Sequence, residues 1–577
     1  MKVYLSLGSN LGDRLANLEQ ALRLLKRGGC RVIRKSPVYE TAPLYYLEQP
    51  AFFNMAAACE TSLSPEKLLA LIARVETALK RRRLVRNGPR TLDADILFYG
   101  GEVINGPGLH IPHPRLAERE FVLAPLADIA PDLRHPVSGL SVKKMLAGLK
   151  ERGGARRLPG AYAELEAWLK ALPPPAAGAH YTLGPVKAAL SALGNPEKRM
   201  GTILHIAGST GKTSSACMAA AALSACGHRT GLYTSPHVRS LRERIQIDGR
   251  PIPEKDLLAC FLRVESVSAG ELSFFETLTA AAFLYFSLRK TSFAVVEAGL
   301  GGRLDATNAA DAEVAGITSV SLEHLNLLGP RLVNVASHKA GIIKEGSFVL
   351  AGWAVPRAAL SVIARRAVEL NSSLLRPSGF AAFLGQVIRK GGKFQGVNAA
   401  FALSAAVMAA ERAGAEFNLN KAAAALPAAL PPGRFERFAL DGRLVVVDGA
   451  HNPEGMKALL KEFSGRPPVC VAAFMSDKDL GPLAGELAAS SSKLILTRSL
   501  SYRSADPAAV TKLLPPAMRR GVIVIEDPLK ALKQAVRLAP KGGTVLVTGS
   551  LYLAGDILAG LKGHKAFHPR EMLVIRK

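Results

Sequence analysis

The chain has 577 residues, too many for one hydrophobic core, and about 150 residues per domain would divide it into three or four. A formal net charge of +27 points to nucleic acid or to acidic small molecules. The basic residues are dispersed, aromatics make up only 6%, and no long basic tail appears, which disfavours a stacking surface for single strands and favours anionic small substrates over nucleic acid.

No charge-free apolar run reaches the ~18 residues that cross a bilayer. The runs around Thr277–Leu288 and Asn398–Ala410 are short enough to be core helices. The N-terminus turns into a glycine motif before any signal-peptide core could form. The six cysteines form no Cys-x-x-Cys pair and read as buried hydrophobes in a reducing compartment. The expectation is a cytoplasmic protein with no membrane partner.

In chain order, Lys2–Leu7 reads as a strand and Gly8-Ser9-Asn10 as a turn. Leu15, Leu18, Leu22 and Leu25 mark one face of a helix. Val32–Thr41 and Phe52–Thr61 are strand-like, and Pro65–Leu79 is a second helix. Asp95–Tyr99 and Glu102–Ile104 suggest a hairpin around Gly100-Gly101. This mixed order indicates an α+β, split βαβ layout.

The chemistry of this part centres on Gly88-Pro89-Arg90-Thr91-Leu92-Asp93-Ala94-Asp95. Residues two apart on a strand share a face, so Asp93 and Asp95 converge. Two such carboxylates form a magnesium clamp for a substrate bearing phosphate oxygens. An Asp-x-Asp alone is more often a solvated strand end. Arg90 and the run Lys80-Arg81-Arg82-Arg83 beside it favour the metal–phosphate reading.

Residues 151–160 are a linker by composition. Ala161–Leu172 then reads as an amphipathic helix, followed by the loop Pro173-Pro174-Pro175. The strand Thr202-Ile203-Leu204 leads into Gly208-Ser209-Thr210-Gly211-Lys212-Thr213 and a small-residue helix. A glycine turn between strand and helix N-terminus points N–H groups at an anion. Lys212 adds a point charge for the outer phosphates, and Thr213 a hydroxyl near a metal. The two-residue gap between Gly208 and Gly211 is shorter than the common phosphate-loop spacing. Repeated strand–loop–helix units with motifs at strand ends describe a doubly wound α/β ATPase.

Two resemblances follow. Leu7–Asp13, Glu40–Pro43, Phe53-Asn54, Gly88–Asp95, Ile111–Pro114 and Phe121–Leu126 resemble 6-hydroxymethyl-7,8-dihydropterin pyrophosphokinase. That resemblance implies a ferredoxin-like fold over residues 1–150 and transfer of the β,γ-pyrophosphate of ATP to hydroxymethyldihydropterin. It implies that Asp93 and Asp95 hold two Mg2+ ions, and that Arg81, Arg90 and His113 stabilise phosphates with Arg83 nearby. Thr41, Phe52, Asn54 and Phe121 would grip the pterin. Asn87 stands where the family usually has Trp.

From about residue 161 onward, the phosphate loop, Tyr233–His237, Phe274–Thr277, Ala294–Asn308, Glu323-His324 and His338–Ile342 resemble folylpolyglutamate synthase/dihydrofolate synthase, a relative of the Mur ligases. Pro432–Glu436, Val446–Pro453, Ser476–Asp479 and Val547–Tyr552 extend the match. The resemblance implies a P-loop, Mur-ligase-like ATP-binding domain over 161–432 and a C-terminal Rossmann-like domain over 433–577. Gly208, Ser209, Thr210, Gly211, Lys212 and Thr213 would hold ATP phosphates, and Asn398, Arg434, Asp448 and His451 would close over the nucleotide. Ser235, Glu276 and His324 would bind Mg2+, and Lys339 would be carbamylated. The implied reaction joins L-glutamate to dihydropteroate or folates through an acyl phosphate.

The two resemblances give a fused bifunctional folate enzyme, multidomain α/β and α+β. Dihydropteroate synthase acts between the two activities and has no counterpart here, so it is expected as a separate protein. A Mur-type ligase for a non-folate acid is disfavoured by the attached pterin kinase. A basic nucleic-acid-binding protein with decayed sites is disfavoured by intact Asp93, Asp95, Lys212, Glu276 and Lys339.

Overall fold

The computed structural model describes residues 1–44, 46–81, 85, 87–150, 154–171, 182–268, 270–378, 380–476 and 479–561. The chain forms two compact units. The first takes Met1–Leu169, Lys187–Asn195 and Glu254–Ser273, and the second includes Pro196–Pro253 and the chain from Phe274 onward.

In the first unit the elements are β1 (Lys2–Ser9), α1 (Arg14–Arg27), β2 (Cys30–Lys35), β3 (Tyr39–Thr41), β4 (Phe52–Thr61), α2 (Pro65–Ala78), β5 (Asp93–Tyr99), β6 (Ile104–Gly106), β7 (Leu109–Ile111), α3 (Glu120–Ile129), α4 (Val142–Ala147), β8 (Ala155–Arg157), α5 (Tyr162–Ala171) and α6 (Gly184–Ala192). The main sheet is antiparallel in the order β5-β1-β4-β3-β8, with β2 also on β4. Both faces are covered, so the inner strands lose the polar half of the usual alternation. Leu5, Leu7, Phe53 and Met55 face one core, whereas Tyr4, Ala56 and Ala58 face the other beside α3 and α4. Asp13 caps α1 by accepting from the Ala16 N–H at 2.9 Å, and Ser64 caps α2 with Pro65 in its first turn.

Three expectations change here. The hairpin is not Asp95–Tyr99 with Glu102–Ile104: Ile104–Gly106 pairs with Leu109–Ile111. Pro107-Gly108 supplies the tight turn, with Gly108 at φ +78°, and β5 is instead paired to β1. The strand expected over Val32–Thr41 is broken at Ser36-Pro37, where proline has no N–H to give the ladder. The linker read from composition contributes β8, paired with β3, and a fully buried Leu158.

The second unit opens with β9 (Thr202–Ala207), α7 (Lys212–Ala225), β10 (Thr230–Tyr233), β11 (Ile245–Ile247) and β12 (Arg250–Pro251). The chain then makes α8 (Glu254–Ser268), which belongs to the first unit, and returns as α9 (Phe274–Leu288). There follow β13 (Phe293–Glu297), β14 (Val314–Ser319), α10 (Leu325–Leu328), α11 (Leu332–Ala340), β15 (Phe348–Ala354) and β16 (Ser373–Leu375). Strand order is β12-β11-β10-β13-β9-β14-β15-β16, parallel from β10 to β16. The helix Lys393–Arg412, buried along most of its length, packs with α7 on one face.

A second sheet holds β17 (Glu436–Leu440), β18 (Arg443–Val447), β19 (Val469–Ala472), β20 (Lys493–Leu496), β21 (Val522–Val524) and β22 (Thr544–Thr548), ordered β17-β18-β22-β19-β20-β21. All its pairs are parallel except β17 with β18. Apolar clusters cover both of its faces. Among the described residues no helix is long and apolar enough to cross a membrane.

Candidate active sites

The first site lies at the start of β5. Asp93 and Asp95 are half-buried while Ala94 and Ile96 are buried, the two-residue period that puts both carboxylates on one face. Arg81 Nη2 and Arg90 Nη2 each reach Asp93 at 2.8 Å. Arg81 also pairs with Glu76, and Glu76 accepts from the Ala94 N–H at 3.1 Å. His113 Nε2 stands 3.9 Å from Asp95. Burial, reinforced by the charge of Asp93, raises the Asp95 carboxyl above its ordinary value, and burial lowers the His113 imidazole. Two carboxylates that oppose each other's ionisation are relieved by a divalent cation.

The strands beside this pair carry the expected pterin residues. Asn54 Nδ2 donates to Thr41 Oγ1 at 2.7 Å across β3 and β4. Phe52 is buried, with the Arg90 guanidinium 5.0 Å from its ring centroid. Phe121, on α3, has Arg119 5.5 Å from its ring. Asn10 ties the Arg90 backbone in both directions, at 2.7 and 3.1 Å. Asn10, in the turn Gly8-Ser9-Asn10, and Glu76, within the helix Pro65–Leu79, carry no sequence signal for these roles. Arg83 lies outside the described residues.

The second site is built where the parallel strands of the second unit end. β9 lies between β13 and β14, so Gly208–Lys212, Glu297 and Ser319 come from adjacent strand ends, where open α/β sheets bind ligands. Gly211 has φ +82°, and a Cβ there would fall 2.4 Å from Asn398 Oδ1. Gly211→Ala is therefore expected to cost about 1–3 kcal/mol of backbone strain and to raise the ATP KM, checked by thermal denaturation and steady-state kinetics. Lys212 Nζ donates to the Gly208 carbonyl at 2.7 Å, folding back over the loop. Thr210 is fixed by the Ser319 hydroxyl, which accepts from its N–H at 2.8 Å.

Two glutamates, Glu297 buried and Glu323 half-buried, organise the rest. Glu297 accepts from Thr213 Oγ1 at 2.8 Å and from the Ser235 N–H at 3.1 Å. Burial raises its carboxyl, while Lys212 pulls the other way. Glu323 accepts from Ser209 Oγ at 3.0 Å and pairs with Lys339 Nζ at 2.5 Å. Lys339 is 1% exposed, and burial lowers its ammonium to about 8. Burial opposes ionisation of Glu323, but Lys339 and Lys212 outweigh it and hold the carboxyl down near 2. Both glutamates were visible as lone acids ending or following apolar strands, a weak signal that only the strand order makes meaningful.

Glu276 lies in the first turn of α9, and His324 precedes α10 in the left-handed conformation, φ +48°. Among the described residues no three His, Cys, Asp or Glu side chains converge as a metal set, so Glu276 and His324 are not gathered with a third such ligand. From the second sheet, Asp448 accepts from the Phe435 and Ala450 N–H groups, each at 2.8 Å. Burial raises Asp448 and Arg434 opposes that rise; Arg434 also acts on Glu297. His451 Nδ1 lies 2.8 Å from the Gly449 carbonyl.

Two family models match the chain. The family model for 7,8-dihydro-6-hydroxymethylpterin-pyrophosphokinase matches residues 4–131, and that for the glutamate ligase domain of Mur ligases matches residues 433–551. A folylpolyglutamate synthase from Lacticaseibacillus casei is 33% identical over 409 residues, 65% of this chain and 94% of that protein. The chain belongs to the folylpolyglutamate synthase family.

A solved Mycobacterium tuberculosis folylpolyglutamate synthase, complexed with ADP and AMPPCP, superposes with a TM-score of 0.62 at 29% identity, covering 70% of this chain and 99% of its own. A bifunctional folylpolyglutamate synthase/dihydrofolate synthase from Yersinia pestis, complexed with AMPPNP and a Mn ion, gives 0.61 at 25% identity, covering 70% and 100%. The chain has the Mur-ligase-like multidomain α/β fold and, with its N-terminal pyrophosphokinase domain, is a bifunctional folate enzyme.

Proposed function

We propose that the two sites act as independent ATP-using centres on one chain. The observation that carries this reading is a phosphate-type site in each unit, one built on Asp93 and Asp95, the other on Lys212 with Glu297 and Glu323. We take residues 1–150 as a ferredoxin-like pyrophosphokinase domain, 151–160 as the join, 161–432 as the ATP-binding ligase domain and 433–577 as a Rossmann-like domain.

In the first centre, Asp93 and Asp95 suit Mg2+ shared with ATP oxygens, because two carboxylates leave most of an octahedral shell to substrate and water. Bound there, the metal would neutralise charge developing on the phosphates. Arg81, Arg90 and His113 hold the phosphate chain in line. Thr41, Asn54, Phe52 and Phe121 orient the pterin hydroxymethyl group. No covalent nucleophile is required, since positioning and charge neutralisation suffice for such transfer.

In the second centre, Gly208–Thr213 cradle ATP, and Lys212 releases Gly208 to meet the outer phosphates. Asn398, Arg434, Asp448 and His451 enclose the nucleotide. Ser235, Glu276 and His324 are the proposed Mg2+ ligands, with ATP completing the set. Lys339 is proposed to carry a carbamate: burial favours the neutral amine that reacts with carbon dioxide. The dihydropteroate or folate carboxylate attacks the γ-phosphorus, ADP leaves, and the L-glutamate amine displaces phosphate from the acyl phosphate to give the amide. Backbone N–H groups and Lys212 stabilise the charge that develops.

Feeding the purified chain dihydropteroate, then tetrahydrofolate, with ATP and labelled glutamate tests the second centre. Amide product from either acid supports the reading, and none from both overturns it. Dihydropteroate synthase is proposed to be a separate protein.

A further inference from the structure

α8 is flanked in the chain by second-unit segments yet is part of the first unit. Its last turn meets the start of α1 around Arg14, whose side chain is 3% exposed. Arg14 donates through Nε to the Ser266 carbonyl and through Nη2 to the Glu265 carbonyl, both at 2.7 Å. Nη1 donates to Glu40 Oε1 at 3.1 Å and to the Ala51 carbonyl at 2.8 Å. The guanidinium carbon lies 3.8 Å from the Phe53 ring centroid. Asp13 accepts from Ser266 Oγ at 2.9 Å and from Arg263 at 3.3 Å. Arg156 on β8 joins Glu40 to Glu265.

The helix supplies what this buried cation needs. The last carbonyls of a helix have no partner within it and carry the negative end of the dipole. The rigid guanidinium fork takes two of them from α8 and spends its remaining donors on β3 and the approach to β4. Each partner outside α8 is the chain neighbour of a pterin residue: Glu40 precedes Thr41, Ala51 precedes Phe52, and Phe53 precedes Asn54. Withdrawing the α8 carbonyls would leave a buried charge with half its acceptors gone, a costly state that moving the strands would relieve.

We propose that Arg14 is a positioning residue for the pterin site, suspending β3 and β4 from the last turn of α8. A segment inserted within the ligase portion of the chain thus sets the geometry of the pyrophosphokinase pocket. This rests on the reading of Thr41, Phe52 and Asn54 as the pterin grip.

The test uses the full chain with Arg14→Met, Arg14→Lys, the double variant Arg263→Ala/Ser266→Ala, and Asn54→Ala as a control. Arg14→Met is expected to raise the pterin KM about tenfold while the ATP KM, kcat and glutamate ligation stay within about twofold. Arg14→Lys recovers part of the loss. The double variant, which cuts only the Asp13 ties, raises the pterin KM about threefold. Amide exchange in β3 and β4 quickens in both. An unchanged pterin KM in Arg14→Met, or pterin and ATP KM rising together, overturns the proposal. If Arg14→Met does not fold, Arg14→Lys, which keeps the charge but not the fork, decides on the same readout, an unchanged pterin KM overturning the proposal. An Asn54→Ala chain with normal pterin KM would instead show that the pterin grip itself is misplaced.

Discussion

Lys212→Ala abolishes glutamate ligation, with a loss of about 10³-fold or more, and leaves pterin pyrophosphorylation at its original rate. Asp95→Ala does the reverse. The size follows from removing the charge that meets the transferring phosphoryl group once ATP is bound. The selectivity follows from the architecture: Asp93 and Asp95 belong to an antiparallel sheet of the first unit, whereas Lys212 opens α7 in the second. The measurement is a pair of assays on one preparation, AMP release with the pterin and ADP release with glutamate. Joint loss in either variant would refute two independent centres.

The second large effect concerns Lys339. Replacement by Ala is expected to lower ligation by about 10²–10³-fold, and Arg should fare no better because it cannot form a carbamate. Small carboxylates such as acetate, filling the cavity in the Ala variant, should restore part of the rate. In the native chain, ligation should fall when carbon dioxide is stripped and return with bicarbonate. The pH sense follows from burial. An ammonium lowered from 10.5 to about 8 is about half neutral at pH 8, whereas an ordinary lysine there is well under 1% neutral. Reactivation by bicarbonate should therefore quicken as pH rises through about 8. The linked stability has the same sign, because the unfolded chain binds more protons between pH 8 and 10.5 and folding gains as pH rises through that interval. Glu323 acts at the other end: its contribution is full above the ordinary carboxylate range and is lost as pH falls toward 2. Native mass spectrometry with and without bicarbonate checks the adduct directly. Ligation indifferent to both carbon dioxide and Lys339→Ala would remove the carbamate from the mechanism.

Much of this was legible in the residues because the signals are local. Asp93 and Asp95 sit two apart on a strand, and Gly208–Thr213 joins a strand to a helix, so period and punctuation alone placed them. Glu297 and Glu323 escaped assignment because a single acid after an apolar strand is indistinguishable from a solvated end. Their meaning comes from β9 being inserted between β13 and β14, a pairing of segments about a hundred residues apart. The β6–β7 hairpin was misplaced by a few residues because two glycines at 100 and 101 outweighed Pro107-Gly108 as a turn signal. Nothing in the spacing of Glu254–Ser268 shows that this helix serves the first unit. Buried ion pairs such as Arg14 with Glu40 carry no sequence pattern at all.

The strand β8 bears on how such a chain could be divided. A reading frame stopped at residue 150 would release a pyrophosphokinase whose β3 has an open edge, a row of unpaired N–H and C=O groups that invites self-association. It would also expose the apolar face that Leu158 covers. A frame stopped after Leu158 would keep both. The seam between the two enzymes is thus not interchangeable along its length: its last residues are structural property of the first enzyme, and a genetic separation must respect them.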